Sequence, residues 1–209
     1  MIAEPSTAVP GGATLSRRGL LLGMALAVPA GVMASVAPHR SAGALIAAAR
    51  RQVGVTLVYD PGYTTLTFPG GDVPRGKGVC TDVLIRAYRD GFGLDLQALV
   101  NADMRANFSA YPHRWGLQHP DRNIDHRRVP NLATFFARRN ARLPIPAGPG
   151  GWRPGDIFTS MIGGRLPHIG IVSVGRPGTV IHNIGGGARE EVALFDHPLT
   201  GRYRWALDG

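Results

Sequence analysis

Leu166-Pro167-His168-Ile169-Gly170-Ile171-Val172-Ser173-Val174 decides the fold. From His168 onward the run is rich in β-branched residues and reads as a strand. Asp156–Ser160 before it and Thr179–Asn183 after it read the same way. Gly163-Gly164 and Arg176-Pro177-Gly178 supply the connections, so the three strands follow one another closely in an antiparallel run. Tyr203–Leu207 is expected to close the sheet.

Upstream the period changes. Ser41–Gln52 reads as an alanine-rich helix capped by Ser41. Val55–Tyr59 is a short extended or loop segment, turned by Asp60-Pro61-Gly62. A loop from Phe68 to Gly78 leads into a helix over Cys80–Asp90, with Gly91 as its stop. Val83, Leu84, Ala87 and Tyr88 share one face of that helix by three-four spacing. Leu94–Met104 continues as helix, residues 105–130 are loop-like, and Asn131–Asn140 reads as a short helix capped by Asn131. Helices first and antiparallel strands afterwards make an α+β fold, one layer of each, in a single domain over residues 38–209.

Residues 1–37 read as an address. Ser16-Arg17-Arg18 precedes an apolar stretch from Gly19 to Val28, and Ser35-Val36-Ala37 offers a small-residue exit. Charged, apolar and small in that order is a signal peptide, and the adjacent arginines suggest the twin-arginine route. Leu20 fits that route, whereas its frequent later lysine is missing. The Gly, Ser and Pro content is poor for a retained span. A periplasmic or extracellular location in a bacterium, with no membrane span after signal removal, is the expectation.

The chain has 209 residues, 44% of them hydrophobic, which is enough for a core and excludes general disorder. Its net charge of +9 suits contact with polyanions and equally suits a basic soluble protein, because the basic residues form no long run. Charge alone would support nucleic-acid binding; export and the absence of a reading motif oppose it.

The only cysteine, Cys80, excludes an internal disulfide. It follows Gly76-Lys77-Gly78-Val79 and opens a helix, where unpaired amides and the helix dipole favour a thiolate. The alternative is a buried, inert cysteine. A thiol nucleophile needs a general base, usually histidine, held by a third group. Of the 7 histidines, His39, His113, His119 and His197 read as surface or loop residues. His126 lies in the polar cluster Asp125-His126-Arg127-Arg128. His168 and His182 fall on neighbouring strands, where two side chains can share a face.

The runs Gly-Val-Cys-Thr-Asp (78–82), Pro-Gly-Asp-Ile-Phe (154–158), Pro-His-Ile-Gly-Ile-Val (167–172) and Val-Ile-His-Asn (180–183) resemble the NlpC-type branch of the papain-like cysteine peptidases. A narrower resemblance covers about residues 42–206. Gly-Gly-Asp-Val-Pro (70–74), the run from Gly78 to Arg89, Asn-Ile-Asp-His-Arg-Arg-Val-Pro-Asn-Leu (123–132) and Leu-Pro-His-Ile-Gly-Ile-Val (166–172) are similar to the family called domain of unknown function 1287. The resemblance implies a papain-like fold with Cys80 as nucleophile and His168 as base and acid. It makes His182 the group that orients His168, with Asn183 as alternate because the strand's side-chain phase leaves both open. Typical NlpC-type sites read Asp-Cys-Ser-Gly, whereas Val79-Cys80-Thr81-Asp82 moves the acid to the other side.

The implied reaction is amide or ester hydrolysis through an acyl-enzyme on cell-wall peptide or a related envelope substrate, requiring no metal or organic cofactor. Asp125, His126, Arg127 and Arg128 are candidate substrate contacts, with a salt-bridged loop anchor as the alternative. Asp82 has the same standing, with a helix-start acid as its alternative. Tyr111 and Trp115 offer a stacking wall or simple packing. The competing function is a catalytically silent envelope-binding module of the same fold. A metal hydrolase is disfavoured, because no closely spaced ligand pair occurs. The sequence leaves the oligomeric state open.

Overall fold

The computed structural model describes residues 39–208; residues 1–37, read above as a signal peptide, lie outside them. Helix α1 spans Ala42–Arg50, and Ser41 accepts a hydrogen bond from the Ala44 amide at 3.1 Å, the cap its position implied. Two short parallel strands, β1 (Val58–Tyr59) and β2 (Lys77–Gly78), pair Tyr59 with Gly78. They deliver the chain into α2, Cys80–Phe92.

Helix α2 is buried nearly all round, not on one face alone. One side meets α1 and the sheet, and the loop before it wraps the other. Arg86 is fully buried and holds that loop. Its guanidinium donates to Asp72 at 3.0 Å, to the Thr56 hydroxyl at 3.0 Å and to the carbonyls of Val73 and Lys77 at 3.1 and 3.0 Å. The helix does not stop at Gly91. It ends at Gly93, whose φ of 67° is the left-handed conformation that terminates helices.

Helix α3 spans Leu96–Ala106 and is capped by Asp95, which accepts from the Gln97 amide at 3.0 Å. Helix α4 spans Val129–Arg138, two residues earlier than expected. Pro130 sits in its first turn, where a fixed φ and a missing N–H cost nothing. Asn131 is therefore not its cap; its side chain donates to the Asp125 carbonyl at 3.2 Å.

The remaining strands are β3 (Arg142–Leu143), β4 (Ile157–Ile162), β5 (Leu166–Val172), β6 (Thr179–His182), β7 (Arg189–Val192) and β8 (Leu199–Tyr203). They form one antiparallel sheet in the order β3-β8-β4-β5-β6-β7. The closing strand lies before the expected Tyr203–Leu207. Residues past Tyr203 leave the sheet so that Trp205 can stack on Tyr88, Phe135 and Phe136, with the Tyr88 hydroxyl donating to the Trp205 carbonyl at 2.9 Å.

The architecture is α+β. Ile157, Ile169, Ile171 and Ile181 pack from one sheet face against α1, α2 and α4. On the other face Trp152, Phe158, Val172, Val180 and Leu194 form a second, smaller cluster. No helix among the described residues is long and apolar enough to cross a membrane.

Candidate active site

The turn that presents Cys80 is fastened from three directions. Asp82 reaches back and accepts from the Val79 amide at 2.6 Å, a role the apolar Val79 side chain cannot reciprocate. The same carboxylate takes two bonds from Arg127, both 2.9 Å, in a pair almost wholly buried. Arg127 also donates to the carbonyls of Asp60 and Gly62, each at 3.3 Å. From the sheet side, Asn183 donates to the Gly78 carbonyl at 3.1 Å and accepts from the Gly185 amide at 3.2 Å. Asp82 and Asn183 are thus committed inside the fold.

The two strand histidines meet directly. Ile171 pairs with Ile181 and Val172 with Val180, a register that sets Gly170 opposite His182 and His168 two residues along on the same face. A Cβ at position 170 would lie 2.6 Å from the Phe158 ring and 3.0 Å from the His182 Cβ, so only glycine lets these groups close over the strand. His168 Nε2 lies 2.9 Å from His182 Nδ1. His182 Nε2 lies 2.9 Å from Oε1 of Glu191 on β7. Of His182 and Asn183, it is His182 that bonds His168.

That chain fixes the tautomers. An ionised carboxylate only accepts, so His182 carries its proton on Nε2 and offers a bare Nδ1. His168 must then donate from Nε2, which leaves its own Nδ1 as the unprotonated nitrogen. Burial pushes the His168 pKa down to about 3, helped by the charges of His182 and His197, so the ring is neutral near pH 7.

The thiol meets the same strand from its other face. Cys80 packs with Ile169 and Ile171. His168, in phase with Gly170 and Val172, lies beside Phe158 at 5.9 Å between ring centroids and outside the cleft that Cys80 lines, so the expected pairing of Cys80 with His168 does not form. The amides of Ile169 and Thr81 and the Tyr59 hydroxyl lie around Cys80 Sγ and favour its charged form. Tyr59 is held there by its pairing with Gly78. Burial pushes the thiol up to about 11; the Asp82 charge adds to this, and the three neighbouring donors offset only part of it. The helix start that favours a thiolate is outweighed, and the resting thiol is protonated.

Cys80 lines a cleft of about 310 Å³ together with Tyr59, Trp115, Pro167 and three arginines. Arg127 and Arg128 belong to that lining; Asp125 and His126 do not. Asp125 is an interior partner, accepting from Arg128 at 2.9 Å and from the Asp121 amide at 2.6 Å. His126 is buried, its Nδ1 has no partner among the described residues, and burial pushes it down to about 4. Trp115 lies under the Arg128 guanidinium at 4.0 Å, whereas Tyr111 is buried and donates to Asp103 at 2.6 Å. Among the described residues no three of His, Cys, Asp and Glu converge in a metal-binding arrangement.

Tyr59 beside Cys80 and Glu191 beside His182 were not expected. Alternation along a strand at 189–192 would have put Glu191 in phase with Arg189, the register partner of His182, and hence on the histidine face.

Together these elements define a class: an α+β protein with a buried thiol at a helix start and a histidine pair on the neighbouring strands. The chain belongs to the family described as Domain of unknown function (DUF1287), which matches residues 46–205 and so includes Cys80, His168, His182 and Glu191. It is similar to "Uncharacterized protein YijF" of Escherichia coli (strain K12), with 53% identity over 161 residues, covering 75% of this chain and 78% of that protein.

Proposed function

We propose that the protein is an exported, thiol-dependent hydrolase of amide or ester bonds on an NlpC-type, papain-like fold, acting on cell-wall peptide or a related envelope substrate. One observation carries the reading. The Cys80 thiol, at the start of α2, borders a cleft lined by Arg114, Arg127 and Arg128. The signal-like residues 16–37 support export.

The thiol rests protonated and the histidine pair lies across the strand from it, so the nucleophile is the thiolate formed when Sγ gives its proton to solvent. Sulfur attacks the carbonyl carbon, and the Cys80 amide, at the helix start, donates to the developing oxyanion; a donor of this kind contributes about 2.7–4 kcal/mol. The departing nitrogen or oxygen takes a proton from solvent, which leaves a thioester on Cys80. Water then attacks the thioester, and the thiol and a carboxylic acid are released. His182 and Glu191 hold His168 on the far face of the strand.

The test is incubation of the wild-type protein and Cys80→Ala with muropeptides and lipid-linked cell-wall precursors, read by mass spectrometry. A new acid–amine or acid–alcohol pair with wild type, missing with the variant, is the expected result. No product from either protein favours the second reading, a silent envelope-binding module. That reading draws on a thiol only 4% exposed and pushed up to about 11.

A further inference from the structure

The cleft beside Cys80 is one-sided in charge. Arg114, Arg127 and Arg128 line it, and no aspartate or glutamate does. The three arginines are not equivalent. Arg127 is consumed by Asp82 and two carbonyls. Arg128 is held in place but not used up. One nitrogen donates to Asp125 at 2.9 Å, and its flat face lies 4.0 Å from the Trp115 ring centroid. A guanidinium fixed in this way loses little rotamer freedom when its remaining N–H groups engage a ligand. Arg114, next to Trp115 in the chain, is exposed and has no hydrogen-bond or ion-pair partner among the described residues.

We infer that the substrate bears an anionic group, a carboxylate or a phosphate, close to the scissile carbonyl, and that Arg114 and Arg128 read it. The inference rests on the thiol-hydrolase reading of the same cleft and adds the substrate's chemical class. The guanidinium fork matches the planar oxygens of a carboxylate and the oxygens of a phosphate, two bonds at a time. A concave site lined by one sign of charge also concentrates ligands of the opposite sign. A cationic group at this position would meet the unpaired Arg114 charge with no carboxylate in the lining to offset it. The apolar sides of the cleft at Trp115 and Pro167 suit the aliphatic part of such an acyl group.

The experiment compares alkylation of Cys80 in the full-length chain by iodoacetate, an anion, and by iodoacetamide, its neutral counterpart. In wild type the iodoacetate-to-iodoacetamide rate ratio exceeds that of 2-mercaptoethanol by roughly tenfold, and added salt reduces it. The ratio falls severalfold in Arg114→Ala and recovers in Arg114→Lys. N-acetylglycine and inorganic phosphate, at matched ionic strength, compete with iodoacetamide, and the stronger protector tells carboxylate from phosphate. A ratio unchanged in Arg114→Ala overturns the inference, as does failure of both anions to protect. If neither reagent modifies the folded wild-type protein while the unfolded chain reacts, the thiol-hydrolase reading itself fails, and the inference falls with it.

Discussion

Nε2 of His168 and Nδ1 of His182 are 2.9 Å apart, and the outer nitrogen of His182 is 2.9 Å from Glu191. Three side chains from three adjacent strands therefore form a single proton-ordered chain. Only its last member, Glu191, is substantially exposed, at 42% of its side chain.

The first prediction concerns tautomers. Nitrogen-15 NMR at neutral pH is expected to show both His168 and His182 protonated on Nε2 and bare on Nδ1. Glu191→Ala removes the acceptor that enforces this order, so the two rings should populate mixed tautomers, while Glu191→Asp partly restores it. An unchanged spectrum in Glu191→Ala would remove Glu191 from its positioning role.

A second prediction follows from buried neutral histidines. Burial holds His126 near 4 against an ordinary value of 6.5, and His168 near 3. As pH falls, the unfolded chain binds these protons first. Stability is thus complete above about pH 6.5 and drains as pH drops toward the folded values. For His126 alone the loss at about pH 5 is on the order of 2 kcal/mol. Urea unfolding at about pH 7 and pH 5 measures it, and His126→Leu should reduce the difference. Equal stability at both pH values would contradict the assignment.

A third prediction addresses the clamp under Cys80. Asp82→Asn keeps the shape but leaves the buried Arg127 guanidinium without its counter-charge. Breaking such a pair costs about 3–5 kcal/mol. Denaturant unfolding should show a loss of that size. A loss near zero would mean that Arg127 finds water, and that the Cys80 turn is held by Asn183 and Arg86 instead.

Much of this architecture was legible from local pattern. Ser41 before an alanine run and the helix opened by Cys80 each carry their own signal and formed where expected, while the strand expected over His168–Val174 formed two residues earlier, over Leu166–Val172. Boundaries failed where tertiary contact decided them. Trp205 prefers an aromatic stack to a strand, and Pro130 begins α4 ahead of Asn131. Strand β7 was missed because Arg189–Val192 is half exposed and charged, so hydrophobic alternation is weak, and Glu191 was missed with it. The Asp125–Arg128 cluster divides between the cleft and the interior. The sequence shows four polar residues in a row, and only the partners Asp82, Asp121 and Asn131 reveal which ones are committed inside the fold.

The pH dependence of Cys80 alkylation by iodoacetamide, in wild type and in His168→Ala, tests the state of the thiol most directly. A thiol held up near 11, with the imidazoles across the strand, reacts only as the free thiolate. The rate is expected to climb about tenfold per pH unit through neutrality, with superimposable profiles for the two proteins. A pH-independent limb around neutrality that His168→Ala abolishes would contradict it.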